Sequence, residues 1–268
     1  MRKITLPLLA AGVCVTLTAC LDSQVQDAKV TINKNPYPST YQPLPQQKTL
    51  IKNATVLTGT GEKLENTDVL LQDGKIAQLG KGLSVSGAME IDGAGKWLTP
   101  GIIDVHSHLG VYPSPSVSSH QDGNEMTAPN TSEVWAEHSV WPQDPGFEAA
   151  RAGGITTLQI LPGSANLFGG RGVTLRNVPS VTMQGMKFPQ APYGLKMACG
   201  ENPKRVYGER RELPSTRMGN MAGYRAAWAK ATEYKRAWDK YERDYAAGKN
   251  PEAPERDLTL DTLKGVLD

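Results

Sequence analysis

The sequence predicts an α/β fold in which a small β unit at 48–99 precedes part of a (β/α)8 TIM-like barrel at 100–268. Two Asp-Gly turns between short apolar runs predict the β unit. Beyond residue 100, apolar runs end in polar or glycine-rich segments, which is typical of parallel strands that carry a site at their carboxyl ends. We therefore expect a partial barrel of about three strands.

Composition and charge exclude several classes of protein. The 268 residues carry 29 basic and 27 acidic side chains, for a net charge of +2. These charges are scattered and form no basic stripe, so we expect no nucleic-acid partner. With three cysteines, Cys14, Cys20 and Cys199, a disulfide scaffold is not expected.

The first residues have the order of a secretory signal. Arg2 and Lys3 precede an apolar run at 4–17, which is too short to span a membrane. The segment Leu17-Thr18-Ala19-Cys20 resembles a bacterial lipobox, which implies a signal peptide at 1–19 and lipidation of Cys20. The alternative is an ordinary cleaved signal with a chance cysteine. Leu21 then favours the outer membrane of the bacterial cell envelope, with the lipid anchor as the sole membrane contact.

Residues 20–47 are rich in Gln, Pro, Ser and Asn. Such a segment buries too little apolar surface to order itself, so we predict a flexible tether between the anchor and the folded part.

The β unit follows the tether. Residues 49–57 are β-branched and apolar, which predicts a strand. Two short apolar runs within 68–79 flank Asp73-Gly74, which predicts a hairpin, and Asp92-Gly93 predicts a second turn. A unit of this size is too slight to be stable alone.

Three apolar runs predict the barrel strands, at 102–105, 155–161 and 193–198. The first is nearly all apolar, as in a strand buried on both faces. A helix is predicted at 145–152. Another is predicted at 224–245, where aromatic residues recur at helical spacing and Gly248 provides a stop. Packing against the barrel explains this stripe better than a ligand platform does.

His106 and His108 follow the first barrel strand. Side chains two residues apart on a strand point to the same side, so both imidazoles project together. Neutral imidazoles bind zinc and similar divalent ions, although a catalytic zinc usually takes three protein ligands. A pair of structural histidines is the alternative.

The residues around the pair resemble a known family. The segment Pro100-Gly101-Ile102-Ile103-Asp104-Val105-His106-Ser107-His108 is similar to the opening motif of the amidohydrolase superfamily. Asp73-Gly74-Lys75-Ile76 resembles the hairpin that precedes that motif. The runs 162–166, Gly169-Gly170 and 194–205 look like the imidazolonepropionase-like branch. The resemblance implies that 48–99 is a small β-sandwich half-domain, and that His106 and His108 bind a divalent metal.

The resemblance also implies a mechanism and further ligands. In this family one or two divalent ions, most often zinc, acidify a water that attacks a carbonyl or amidine carbon. The implied substrates are small cyclic amides or peptide-like amides. A bridging carboxylate or carboxylated lysine completes the first ligands. We expect Glu201 in that position, with Lys196 as its competitor and a structural role as the third possibility.

Two other polar features of the sequence allow more than one interpretation. The glycine-rich stretch 164–172 is expected to be a loop, which either offers backbone N–H groups to a substrate or is a tight connection. His120 and His138 are expected to be solvated loop histidines, with His138 as the one that would face a pocket.

The sequence also departs from the family. No histidine follows His138, whereas the family uses two later histidines and a late aspartate. Residues 258–268 resemble a helix that leads to a further strand. We therefore expect an N-terminal part of an amidohydrolase that is inactive by itself. The alternative is a short, non-catalytic surface lipoprotein that binds a metal or a partner. The sequence does not indicate an oligomeric state.

Overall fold

The computed structural model describes residues 27–268. The signal peptide predicted at 1–19 and the lipidation site Cys20 lie outside the described residues. Within 27–268, no helix has the length and apolar character needed to cross a bilayer.

The β unit is one five-stranded sheet. Its strands are β1 (Thr49–Leu57), β2 (Lys63–Gln72), β3 (Lys75–Gly80), β4 (Met89–Asp92) and β5 (Trp97–Leu98), in the order β3-β2-β1-β4 with β5 also paired to β1. The hairpin at Asp73-Gly74 is confirmed, since both residues have positive φ between the antiparallel strands β2 and β3. The turn after Asp92 instead connects two strands that each pair in parallel with β1. The sandwich arrangement stays a prediction.

A second, curled sheet forms half of a barrel. It contains β6 (Ile102–Ser107), β7 (Ile155–Ile160), β8 (Phe168–Arg176) and β9 (Gly194–Met197), in that order. Strands β6 and β7 are parallel, whereas β8 is antiparallel to both of its neighbours. The expectation of three successive parallel strands is therefore wrong, because an additional strand separates the second from the third.

The missed strand β8 lies where a glycine-rich loop was expected. Glycine weakens strands and indicates a loop from sequence alone, unless another backbone approaches closely. That is the case here, because a Cβ at Gly170 would lie 2.4 Å from the Val134 carbonyl oxygen. A Cβ at Gly172 would lie 2.5 Å from a methyl carbon of Leu161. The glycines therefore allow the strand to pack.

Strand β6 is at the edge of the sheet and differs from the fully buried strand predicted for it. Its apolar side chains are exposed, with Ile103 63% and Val105 68% accessible. The apolar run correctly predicted a strand, but which neighbours cover it depends on the rest of the fold.

The helices are α1 (Pro145–Ala152), α2 (Met183–Met186), α3 (Glu201–Gly208), α4 (Arg217–Ala246) and α5 (Leu258–Leu267). Short 3-10 turns lie at Ser118–His120 and Ala136–His138. The main core is formed by buried apolar side chains between the half-barrel and helices α1 and α2. Its larger members are Phe147, Leu158, Ile160, Val173, Leu175, Met183 and Met186.

The long helix α4 confirms the helix predicted at 224–245 with its aromatic stripe, and it begins earlier, at Arg217. It begins after Thr216, whose hydroxyl accepts a hydrogen bond from the Gly219 N–H at 3.0 Å. Tyr224 and Trp228 pack on Phe168 of β8, with ring centroids 5.4 and 5.5 Å apart. Tyr234, Trp238 and Tyr241 pack next to Leu260 of α5. The stripe is therefore a packing surface.

The described part of the predicted tether is docked on the fold. The Thr40 N–H donates to the Gln184 carbonyl at 3.0 Å, and the Ser39 hydroxyl donates to the Lys187 carbonyl at 2.6 Å. Nearer the amino terminus, the Val30 N–H donates to the hydroxyl of Tyr241 at 2.8 Å. Residues 30–40 of the predicted tether thus contact the fold, through partners that lie far away in sequence and that composition does not reveal.

Candidate functional site

The two histidines after the first barrel strand meet at the end of β6. His106 lies within the strand and His108 follows it, and their ring centroids are 5.2 Å apart in an edge-on arrangement. The alternation of side chains along a strand places both rings on one side. The Asp104 carboxylate accepts the His106 backbone N–H at 3.0 Å, which holds the strand end in place.

The ring of His108 is oriented by a hydrogen bond. Its Nδ1 lies 2.8 Å from the Leu161 carbonyl oxygen. Because a carbonyl oxygen only accepts, Nδ1 carries the proton and Nε2 keeps its lone pair. Burial lowers the pKa of His108, which favours the neutral ring. A neutral imidazole with one oriented lone pair is the form that binds a metal ion.

Lys196 is the third group at this place. It is 6% exposed, and its Nζ lies 3.2 Å from Nε2 of His106. Burial lowers the pKa of the Lys196 amine, which favours its neutral form. Lys196 lies on β9 opposite Gly170, and a Cβ added at Gly169 would lie 3.4 Å from the Cγ of Lys196. The glycine-rich strand β8 thus leaves space around the lysine side chain.

Glu201, the expected bridging ligand, lies elsewhere. It is the first residue of α3, its side chain is 70% exposed, and its carboxylate accepts from Arg205 Nε at 2.9 Å. Gly200, at φ +79°, turns the chain before this helix. The structure therefore brings Lys196 and not Glu201 to the histidine pair. Among residues 27–268, no group of three or more His, Cys, Asp and Glu side chains is placed to hold a metal.

The remaining histidines are apart from this pair. Nδ1 of His120 lies 3.0 Å from the Pro115 carbonyl oxygen. His138 is exposed, with its ring 4.7 Å from that of Tyr37. It lines a cavity of about 1170 Å³ together with Trp135, Arg171 and Tyr193. Sequence reasoning missed this cavity, because its walls come from many segments that are distant in the chain, from 32–37 to 256–268.

The nitrogen donors at the histidine pair meet part of what a divalent metal site requires. Two imidazole nitrogens and one buried lysine converge here, and zinc accepts imidazole nitrogens as ligands. The two histidines by themselves fall short of the three protein ligands usual for a catalytic zinc. A carboxylated lysine would add an oxygen ligand beside them.

Comparison with known proteins identifies relatives of this chain. No family model matches the sequence. The chain is 34% identical to the amidohydrolase tasK of Hapsidospora irregularis over 218 residues, which are 71% of this chain and 22% of that protein. It is 45% identical to a dihydroorotase of Pelotomaculum thermopropionicum over 62 residues, which are 23% of this chain and 14% of that protein.

A solved structure has the same fold over a longer span. The crystal structure of an amidohydrolase from Thermotoga maritima MSB8 superposes with a TM-score of 0.73 and 40% identity. The match covers 82% of this chain and 55% of that chain. The chain therefore spans about half of the matched structure and about a fifth of the matched tasK protein.

Proposed function

Because its relatives are amidohydrolases and support the amidohydrolase superfamily, we propose that this chain carries the first metal-binding residues of a metal-dependent hydrolase. The reaction is the hydrolysis of a C–N bond in a small molecule. The observation that carries the proposal is the convergence of His106, His108 and Lys196 at the end of the first barrel strand.

His106 and His108 are the proposed ligands of the first ion. The hydrogen bond from His108 Nδ1 to the Leu161 carbonyl keeps Nε2 available, and the edge-on contact of the rings keeps the two side chains together. When bound, a divalent cation, zinc in the first place, supplies a Lewis acid and lowers the pKa of a water for attack on the amide carbon.

Lys196 replaces Glu201 as the proposed bridging group to a second ion. Its neutral amine, favoured by burial, adds to carbon dioxide with formation of an N–C bond and release of one proton. The product is a carbamate anion on Nζ, beside Nε2 of His106. The position of Lys196 supports this choice, because Glu201 is exposed and paired with Arg205.

Small cyclic amides or dipeptide-like amides are the proposed substrates. The dihydroorotase relative supports a cyclic amide. Residues 162–166, Gly169-Gly170 and 194–205 support an imidazolonepropionase-like branch within the superfamily. The proposed location is the bacterial cell envelope, with the chain anchored through lipid on Cys20, which the segment Leu17-Thr18-Ala19-Cys20 supports.

The test is the metal content of variants of the hydrolase that contains this chain. Replacement of both His106 and His108 by Ala should remove the metal measured by elemental analysis, whereas His120→Ala, in a loop away from the pair, should retain it. Metal that stays at the wild-type level in the double variant contradicts the proposal, because the ligands would then lie elsewhere.

A second experiment distinguishes the two candidates for the bridging group. Lys196→Ala should lower the metal content and remove the carbamate signal that ¹³C NMR detects after incubation with ¹³C-bicarbonate. Glu201→Gln should change neither quantity. Loss of metal in Glu201→Gln but not in Lys196→Ala, with no carbamate signal in the wild type, would assign the bridge to Glu201.

A further inference from the structure

A partly buried arginine lies in the large cavity away from the histidine pair. The Nε of Arg171, on β8, donates to the Thr262 hydroxyl of α5 at 2.9 Å. Its guanidinium carbon lies 4.1 Å from the ring centroid of Trp135 and 5.8 Å from that of Tyr193. These contacts involve Nε and the guanidinium carbon, which lies at cation–π distance from both rings.

The terminal nitrogens of Arg171 are available to a ligand. Among residues 27–268, no carboxylate forms an ion pair with Arg171, and no acceptor is hydrogen-bonded to its two terminal nitrogens. Arg256, which lines the same cavity, is by contrast paired with Asp261 at 2.7 Å. Asp261 and Glu137 act on Arg171 only from beyond ion-pair distance. A partly desolvated charge without a contacting ion-pair partner is costly, and the two parallel N–H groups of a guanidinium match a carboxylate.

A buried network holds Tyr193, beside Arg171, in position. The Tyr193 hydroxyl donates to Glu137 at 3.0 Å, and Glu137 pairs with Lys187 at 2.7 Å, where both side chains are almost fully buried. Lys187 also donates to the carbonyl of Tyr37, in the docked amino-terminal segment. Tyr193 is thus held in position by hydrogen bonds before any ligand arrives, which lowers the entropic cost of binding.

The site lies on the face of the sheet opposite to the histidine pair. In the β8–β9 ladder, Arg171 is opposite Leu195 and Gly170 is opposite Lys196. Successive side chains on a strand point to opposite faces. Leu195 packs against α4 and α5, whereas Lys196 reaches His106. The arginine site is therefore separate from the proposed metal site.

We propose that Arg171 and the aromatic wall of Trp135 and Tyr193 form a binding site for a small monoanionic carboxylate with an apolar body. The guanidinium binds the carboxylate through its terminal nitrogens, and the aromatic rings with Leu195 contact the apolar part. Five acidic and four basic side chains line the cavity. This excess of one acidic side chain repels a doubly charged phosphate more strongly than a monoanion, so the attraction for a carboxylate comes from the guanidinium itself.

Benzoate and benzamide are matched probes, since they have the same shape and differ in charge. Calorimetric titration of the 268-residue chain, in a buffer without other carboxylates, should show benzoate binding roughly tenfold tighter than benzamide. Arg171→Gln should remove this preference. Arg176→Gln should keep it, because Arg176 is on the same strand and stacks on Tyr41 and Phe188, but does not line the cavity.

Three results would overturn the proposal. They are equal binding of the two probes, no benzoate binding up to about 10 mM, and displacement of benzoate by an equal concentration of inorganic phosphate. The wild-type comparison does not depend on the folding of any variant. The double replacement of His106 and His108 by Ala should leave benzoate binding unchanged, so failure of the proposed hydrolase function and failure of this site are distinguishable.

Discussion

Removal of the Asp144 carboxylate should destabilise the loop that follows the histidine pair. Asp144 is the N-cap of α1 and is 4% exposed. Its two oxygens accept the backbone N–H groups of Gly110 at 2.9 Å, Gly146 at 3.0 Å and Ser114 at 3.3 Å. One side chain therefore connects the start of α1 to a turn two residues beyond His108.

The magnitude follows from the burial of the three donors. Gly110 is buried, so its N–H would lose its partner at a cost of about 1–3 kcal/mol in Asp144→Ala. Loss of the cap at Gly146 adds about 0.5–2 kcal/mol. Ser114 is exposed and its N–H can bind water instead. The free energy of unfolding should fall by roughly 2–5 kcal/mol, a large part of the stability of a typical domain.

Urea titration followed by circular dichroism measures this change, and Asp257→Ala is the matched control. Asp257 is the N-cap of α5, is exposed, and accepts a single N–H, from Leu260 at 2.9 Å. Its replacement should cost about 1 kcal/mol. Equal losses in the two variants would refute the argument that the bond to the buried Gly110 N–H makes Asp144 the more important cap.

Three further outcomes are expected. The N–H groups of Asn53 and Leu83 lower the pKa of Asp68, so its stabilisation is present above the unfolded pKa of about 4 and is lost as the pH falls through the folded value. The Asp68→Asn variant should therefore be less stable than wild type at pH 7, and its free energy of unfolding should change less with pH below about pH 4. Urea titrations at several pH values measure this, and parallel pH dependence in the two proteins would contradict it. Cys20→Ser should move the protein from the membrane to the soluble fraction, and unchanged fractionation would exclude the lipid anchor. The 268 residues alone should show no metal-dependent hydrolysis of small amides, because barrel enzymes take catalytic groups from several strands; turnover comparable to an intact relative would overturn this.

The sequence by itself determined features that depend on neighbouring residues. The Asp73-Gly74 hairpin follows from the positive φ that its turn requires. The common side of His106 and His108 follows from the alternation of side chains along a strand. Helix α4 follows from the spacing of its aromatic residues, and it ends before Gly248, which has φ +74°.

Tertiary structure alone decided which distant groups meet. Sequence order favoured Glu201 over Lys196 as the third ligand, but the register of β8 with β9 and the turn at Gly200 bring the lysine to His106. Arg171 likewise has no local signal, since its aromatic neighbours come from other segments. Turn chemistry and periodicity act over a few residues, whereas the partners of a buried side chain depend on how sheets and helices pack.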